Sequence, residues 1–202
     1  MFYEELGKYD IVLGSASPRR KVLLEAMGLK FRIMVNSTLE ENWPGGMSRK
    51  EIPVYLAGLK ASHLMKTVPE NTLLITADTI VWMEGEVINK PGGAEEAVEM
   101  LRRLSGRMHE VLTGVCLRNG AREHSFCTSS LVWFAPLGDE EIRYYVDNYR
   151  PFDKAGAYGI QDWIGYIGVE KIEGSYFNVM GLPLQSLYHE LKLFLGGKGP
   201  DS

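Results

Sequence analysis

Cysteine is scarce in this chain of 202 residues, which holds only Cys116 and Cys127. They form no CxxC pair and give no zinc signal. The two flank a turn signal at Asn119-Gly120. A two-residue loop there would set Cys116 opposite Glu123 and Cys127 opposite Leu112, a register without a disulfide between them. Both are expected as small buried hydrophobes in a reducing compartment. Long apolar runs are missing too, none approaching the roughly 20 residues of a membrane-spanning helix. The opening MFYEELGKYD has acids and lacks the basic and apolar regions of a secretory signal, so the cytoplasm is the expected compartment. Positive charge is short as well. A net charge of −4 argues against a general nucleic-acid or membrane-surface binder, and neither is expected as a partner. The four histidines, His63, His109, His124 and His189, show no metal-ligand spacing and are expected at the surface or at caps. Also missing are the phosphate-binding fingerprints GxxxxGK[ST] and GxGxxG.

What remains is the pattern of an α/β protein, and the length suits a single domain over residues 1–202. Apolar residues recur at helical spacing over 17–27, from 48 or 53 to 66, over 94–104 and from Pro183 to about Leu195. Strand-like runs fall at 11–15, 31–36, 73–83, 109–118, 123–135 and 164–172, with turn signals at Glu84-Gly85 and Asn119-Gly120. Interleaved helices and strands followed by hairpins predict a mixed sheet. The tail GGKGPDS reads as frayed.

Within this pattern five features carry chemistry. In "IVLGSASPRRKVLLEAMG", Ser17 is the expected N-cap and Pro18 the first helical residue, yet Arg19 and Arg20 occupy the first turn, where the helix dipole disfavours cations. Bound phosphate would account for them, as would two solvated arginines at a small local cost. In "LLITADTIVW", Asp78 interrupts a buried apolar run, which is costly unless the carboxylate is paired, bound to metal or placed at a site. Glu40-Glu41 is a loop carboxylate pair suited to a hard cation such as Mg²⁺, or simply solvated. Lys60, on a largely apolar helix face, and Lys90, before Pro91-Gly92-Gly93, are surface lysines or point charges toward phosphate. Finally, "DKAGAYGIQ" (153–161) permits close backbone approach and ends in Gln161, whose amide donates and accepts and so can read a base edge.

Taken together, "SASPRRKVLLEAMGLKF", "LEEN", "LAGLKA", "ADTIV", "NKP", "MLRRLSGRMHEVLTGV", "DKAGAYGIQ" and "GSYFNVMGLPL" resemble, in order, the blocks of the Maf nucleotide pyrophosphatases, from Ile11 to about Phe194. The resemblance implies a Maf/ITPase-like α/β fold, a mixed twisted sheet flanked by helices with a central substrate cleft. It implies hydrolysis of a nucleoside triphosphate between the α and β phosphates, with a divalent metal cation (Mg²⁺ or Mn²⁺) as cofactor. Asp78 matches the proton acceptor, and Arg19, Thr79 and Gln161 match specificity positions. Glu40, Lys60 and Lys90 match polar residues of the cleft, Ser15 and Ser17 belong to the phosphate-facing motif, and Arg20 accompanies them. The metal ligands are expected to be Glu40 and Asp78. The GAYGIQ block points to the dTTP/UTP subgroup, and a homodimer is among the assemblies the resemblance suggests.

The chain departs from the pattern at three places. Asp162-Trp163 follows Gln161 where glycine is expected, Ser130 replaces a usual threonine, and Gly14 replaces a usual alanine, which should only loosen the turn. The competing readings are a pyrophosphatase of 7-methyl-GTP or of broad specificity, and a nucleotide-sensing regulator of cell division without turnover.

Overall fold

The computed structural model describes residues 2–35 and 39–196, so most of the tail GGKGPDS and Asn36 of the expected strand 31–36 lie outside it. Strands β1 (Asp10–Leu13), β2 (Arg32–Ile33), β3 (Thr72–Met83), β4 (Glu86–Ile88), β5 (Met108–Asn119), β6 (Arg122–Phe134) and β7 (Val169–Glu173) form a mixed sheet. Their order is β2-β1-β3-β5-β6-β7, with β4 paired to β3. The flanking helices are α1 (Phe2–Leu6), α2 (Pro18–Ala26), α3 (Glu51–Leu64), α4 (Ala94–Leu104), α5 (Asp139–Tyr149), α6 (Trp163–Gly168), α7 (Tyr176–Met180) and α8 (Leu184–Leu195). The chain divides into two compact units, residues 1–78, 113–128 and 181–202 in the first and 79–112 and 129–180 in the second.

In the first unit β1 runs parallel to both β2 and β3, because α2 and α3 supply the crossovers that parallel pairing requires. Ser17 caps α2, Pro18 opens it and Gly28, at φ 75°, follows its end, as the sequence predicts. Ala57, Ala61 and Leu64 of α3 pack on Val12, Leu74 and Cys116. Gly14 is required by that packing. A methyl group there would lie 2.5 Å from Thr76 Cγ2 and 2.7 Å from Leu64 Cδ1, so glycine tightens the layer where a looser turn was expected. Strand β2 is only two residues long, against the expected 31–36, because β1 ends at Leu13 and leaves nothing further to pair with.

In the second unit Glu84 and Gly85, both at positive φ (54° and 90°), turn β3 into β4 as the turn signal predicts. The core joins Ala97, Val98, Leu101 and Leu104 of α4 to Val81, Val111, Phe134 and the Ile142–Tyr145–Val146 face of α5. Helix α5 is an addition to the expected elements; its apolar residues have the helical i, i+3, i+4 spacing and the Glu141 carboxylate accepts from Gly138 N–H at 2.7 Å. The run 164–172, read as one strand, is α6 followed by β7. Alternation would put Ile164 and Tyr166 on one face, yet Ile164 is buried and Tyr166 is 76% exposed.

The β5–β6 turn is Gly120-Ala121, one residue later than expected. Asn119 stays in β5, where its amide donates to the Thr72 carbonyl at 2.8 Å. That shift moves the cross-strand partner by two, and the Cys116 thiol meets Ser125 instead of Glu123. Both cysteines are free, and Cys127 is half-buried where burial was expected. His109, expected at the surface, is buried between the Phe134 and Tyr158 rings and 2.7 Å from the Tyr158 hydroxyl.

Candidate active site

The first unit builds its charged site from two local periodicities. Residues i and i+2 of a strand share a face, as do i and i+3 of a helix, so Thr76 and Asp78 of β3 can address Ala57 and Lys60 of α3 together. The Thr76 hydroxyl donates to the Ala57 carbonyl at 2.7 Å and sets the register. Two residues further along the strand, Asp78 Oδ1 receives Lys60 Nζ at 2.6 Å. The same ammonium lies 3.0 Å from Glu41 Oε1. With side-chain exposures of 14% for Lys60 and 11% for Asp78, this pair is well shielded, and the buried carboxylate that interrupts the apolar run has its partner.

Arg20 explains half of the anomaly at the start of α2. Its guanidinium is buried, with Nε donating to the Gly181 carbonyl at 2.8 Å and Nη1 to the Ala77 carbonyl at 2.8 Å and the Ser15 hydroxyl at 3.1 Å. Ser15 Oγ also accepts from Ser17 N–H at 3.3 Å. Burial lowers the Arg20 proton affinity and the Asp78 charge opposes that fall. Arg20 therefore fastens the α2 start to the carbonyl preceding Asp78. Arg19, one position earlier, is half-exposed.

The second unit carries the amide. Gly156 N–H donates to the Asn89 carbonyl at 3.1 Å, which fastens the 153–161 loop beside exposed Lys90. At the loop's end Gln161 Nε2 donates to Asp162 Oδ1 at 2.9 Å, and Asp162 Oδ2 accepts from the Tyr145 hydroxyl at 2.8 Å. Gln161 Oε1 is buried with no hydrogen-bond partner among the described residues.

Of the residues singled out in the sequence, Ser15, Ser17, Arg19, Arg20, Glu40, Lys60 and Asp78 fall in the first unit and Thr79, Lys90 and Gln161 in the second. Contacts join Lys60 to Asp78 and Arg20 to Ser15. Glu40 is exposed and accepts from Asn42 at 3.3 Å, so its neighbour Glu41 is the member of the pair brought to Lys60. Thr79 follows Asp78 on β3 and is half-buried. Tyr145 and Asp162 were missed as supports of the amide; the only sequence signal was Asp162 standing where glycine was expected.

Among the described residues no group of three or more His, Cys, Asp or Glu side chains could cage a metal. Asp78 and Glu41 nevertheless offer hard oxygen donors around one ammonium. Magnesium is commonly held by one or two carboxylates together with substrate phosphates and water, so this donor set fits such a cation. No described helix is long and apolar enough to cross a membrane.

The fold and these contacts define an α/β protein of mixed sheet, with a lysine-held strand carboxylate in one unit and an oriented loop amide in the other. The chain belongs to the Maf-like protein family, whose profile matches residues 10–194. It is 51% identical over 193 residues to a dTTP/UTP pyrophosphatase of Porphyromonas gingivalis, covering 95% of this chain and 97% of that one. A dTTP/UTP pyrophosphatase of Parabacteroides distasonis is 53% identical over 191 residues, covering 95% and 99%. One from Bacteroides thetaiotaomicron is 52% identical over 187 residues, covering 93% and 97%. Among solved structures, a HAM1 protein from Coxiella burnetii aligns at 13% identity with a TM-score of 0.48, over 91% of this chain and 98% of that one.

Proposed function

We propose that this chain, as one Maf-like domain, hydrolyses dTTP and UTP between the α and β phosphates, releasing the nucleoside monophosphate and pyrophosphate. Its place is then the cleansing of the cytoplasmic nucleotide pool. The observation that carries the chemistry is Asp78, shielded on β3 and 2.6 Å from Lys60. Identity of 51% and 53% to relatives named dTTP/UTP pyrophosphatase supports the substrate.

Breaking a phosphate anhydride calls for positioning and charge stabilisation. Asp78 accepts the proton of the attacking water or holds the metal. Asp78 and Glu41 are the carboxylates that would hold a divalent cation, where the expected pair is Asp78 and Glu40. When bound, the cation supplies positive charge to the phosphate oxygens. Arg19, Ser15, Ser17 and the α2 amides receive phosphate oxygens, with Lys60 and Lys90 as point charges and Arg20 as the brace behind them. Thr79 and Gln161 select the nucleotide. The uracil and thymine imide offers a donor N–H between two carbonyls, which an amide can pair with.

The test is pyrophosphate release with Mg²⁺ or Mn²⁺ across dTTP, UTP, CTP, ATP, GTP and 7-methyl-GTP, for wild type and Asp78→Asn. Release from dTTP and UTP that the substitution abolishes is the expected result. Release confined to 7-methyl-GTP would refute the substrate, absence of release from all six would refute the enzyme, and wild-type kcat in Asp78→Asn would remove Asp78 from the chemistry.

A further inference from the structure

We infer that Asp162 is a positioning residue that determines which way round the Gln161 amide faces, and so enables Gln161 to distinguish uracil and thymine from cytosine. The inference rests on the reading of Gln161 as the residue that meets the base.

An amide is nearly symmetric in shape and opposite in hydrogen-bonding sense at its two ends, and its orientation is dictated by its neighbours. A carboxylate only accepts, so the Gln161 atom 2.9 Å from Asp162 Oδ1 is the NH₂ group. The carboxylate is itself held. Its Oδ2 accepts from the Tyr145 hydroxyl at 2.8 Å and lies 3.7 Å from Lys154 Nζ. Tyr145 in turn accepts from Gly159 N–H at 3.1 Å, and burial together with Asp162 keeps its phenol protonated and donating. Gly159 leaves the room: a Cβ there would lie 2.5 Å from Asp162 Oδ2 and 2.7 Å from Gln161 Nε2. The backbone is thus shaped around the Gln161–Asp162 pair.

With Nε2 tied down, Oε1 faces away as a buried acceptor with no partner among the described residues. A buried acceptor without a donor is costly, and the imide N3–H of uracil or thymine is a donor of the right sense. Cytosine carries a lone pair at N3, so in the same seat it would set acceptor against acceptor. An amide free to turn over could satisfy either base; the held one favours a single donor–acceptor order.

The test compares kcat/KM for UTP and CTP in wild type, Asp162→Asn, Tyr145→Phe and Gln161→Ala. Asp162→Asn keeps the shape but offers either end of an amide to Gln161, so the UTP-to-CTP ratio should fall about tenfold, the effect of one hydrogen bond of ordinary net strength. The loss should lie mainly in KM for UTP. Tyr145→Phe should lower the ratio in the same direction, and it decides the matter if Asp162→Asn fails to fold. A merely structural role would depress both substrates together and leave the ratio unchanged. An unchanged ratio in the folded Asp162 and Tyr145 variants, with the ratio lost in Gln161→Ala, overturns the positioning role and leaves Gln161 as the base reader. A ratio retained in Gln161→Ala overturns both readings.

Discussion

Replacing Lys60 by methionine removes the ammonium that two carboxylates share and keeps most of the side chain's volume. Asp78 then loses its 2.6 Å partner while remaining shielded at 11% side-chain exposure. Removing one member of a buried pair costs about 3 to 5 kcal/mol, and the partial exposure places the expected loss near the lower end, about 3 kcal/mol. For a chain of this length that is a fall in Tm of about 6–12 °C. Asp78→Asn should behave differently. Lys60 retains Glu41 at 3.0 Å and the new carboxamide still presents an oxygen, so the expected cost is about 1 kcal/mol or less. In the double variant Lys60→Met/Asp78→Asn no isolated charge remains on β3, and it should regain about 2 kcal/mol over Lys60→Met alone. Urea unfolding of the four proteins measures this cycle. If Lys60→Met lies within about 1 kcal/mol of wild type, or the double variant loses the sum of the single losses, Lys60 is not what makes Asp78 tolerable in the core.

Other consequences follow from residues the same contacts expose. His109 is 1% exposed, and burial lowers its pKa from 6.5 to about 4. The unfolded chain takes up this proton at higher pH than the folded one, so the contribution is complete above pH 6.5 and is lost as the pH falls toward about 4. The full difference is about 3 kcal/mol, and unfolding at about pH 7 and about pH 4.5 should show a flatter dependence in His109→Gln; an identical slope would refute it. Gly14→Ala puts a methyl 2.5 Å from Thr76 Cγ2 and should destabilise by about 1–3 kcal/mol, whereas an unchanged or raised Tm would show that the layer yields. Gln161→Glu sets a second carboxylate beside Asp162 Oδ1, now 2.9 Å from Nε2, and removes a donor; dTTP and UTP use should fall at least about tenfold. Unchanged nucleotide preference in that variant would remove Gln161 from base selection.

Much of the frame was legible because it depends on local chemistry. Ser17-Pro18 and Gly28 bound α2, Glu84-Gly85 turns β3 into β4, and the apolar run around Asp78 is a buried strand. Structure and sequence pattern part where a local signal has two physical outcomes. The 164–172 run fits either period until burial separates Ile164 from Tyr166, and the turn at Asn119-Gly120 moves by one because the Asn119 amide is used by the Thr72 carbonyl.

The sequence by itself determined the α/β alternation, the interrupted strand at Asp78 and the family blocks, since periodicity, turn residues and motif spacing are properties of neighbouring positions. Tertiary structure alone decided which side chain answers which. Arg20 reaches Gly181, 161 residues away, and becomes a brace; Glu41 rather than its neighbour Glu40 meets Lys60; Tyr145 holds Asp162 from 17 residues away. Those assignments depend on where packed surfaces bring distant atoms to within about 3 Å, and no spacing along the chain encodes that distance.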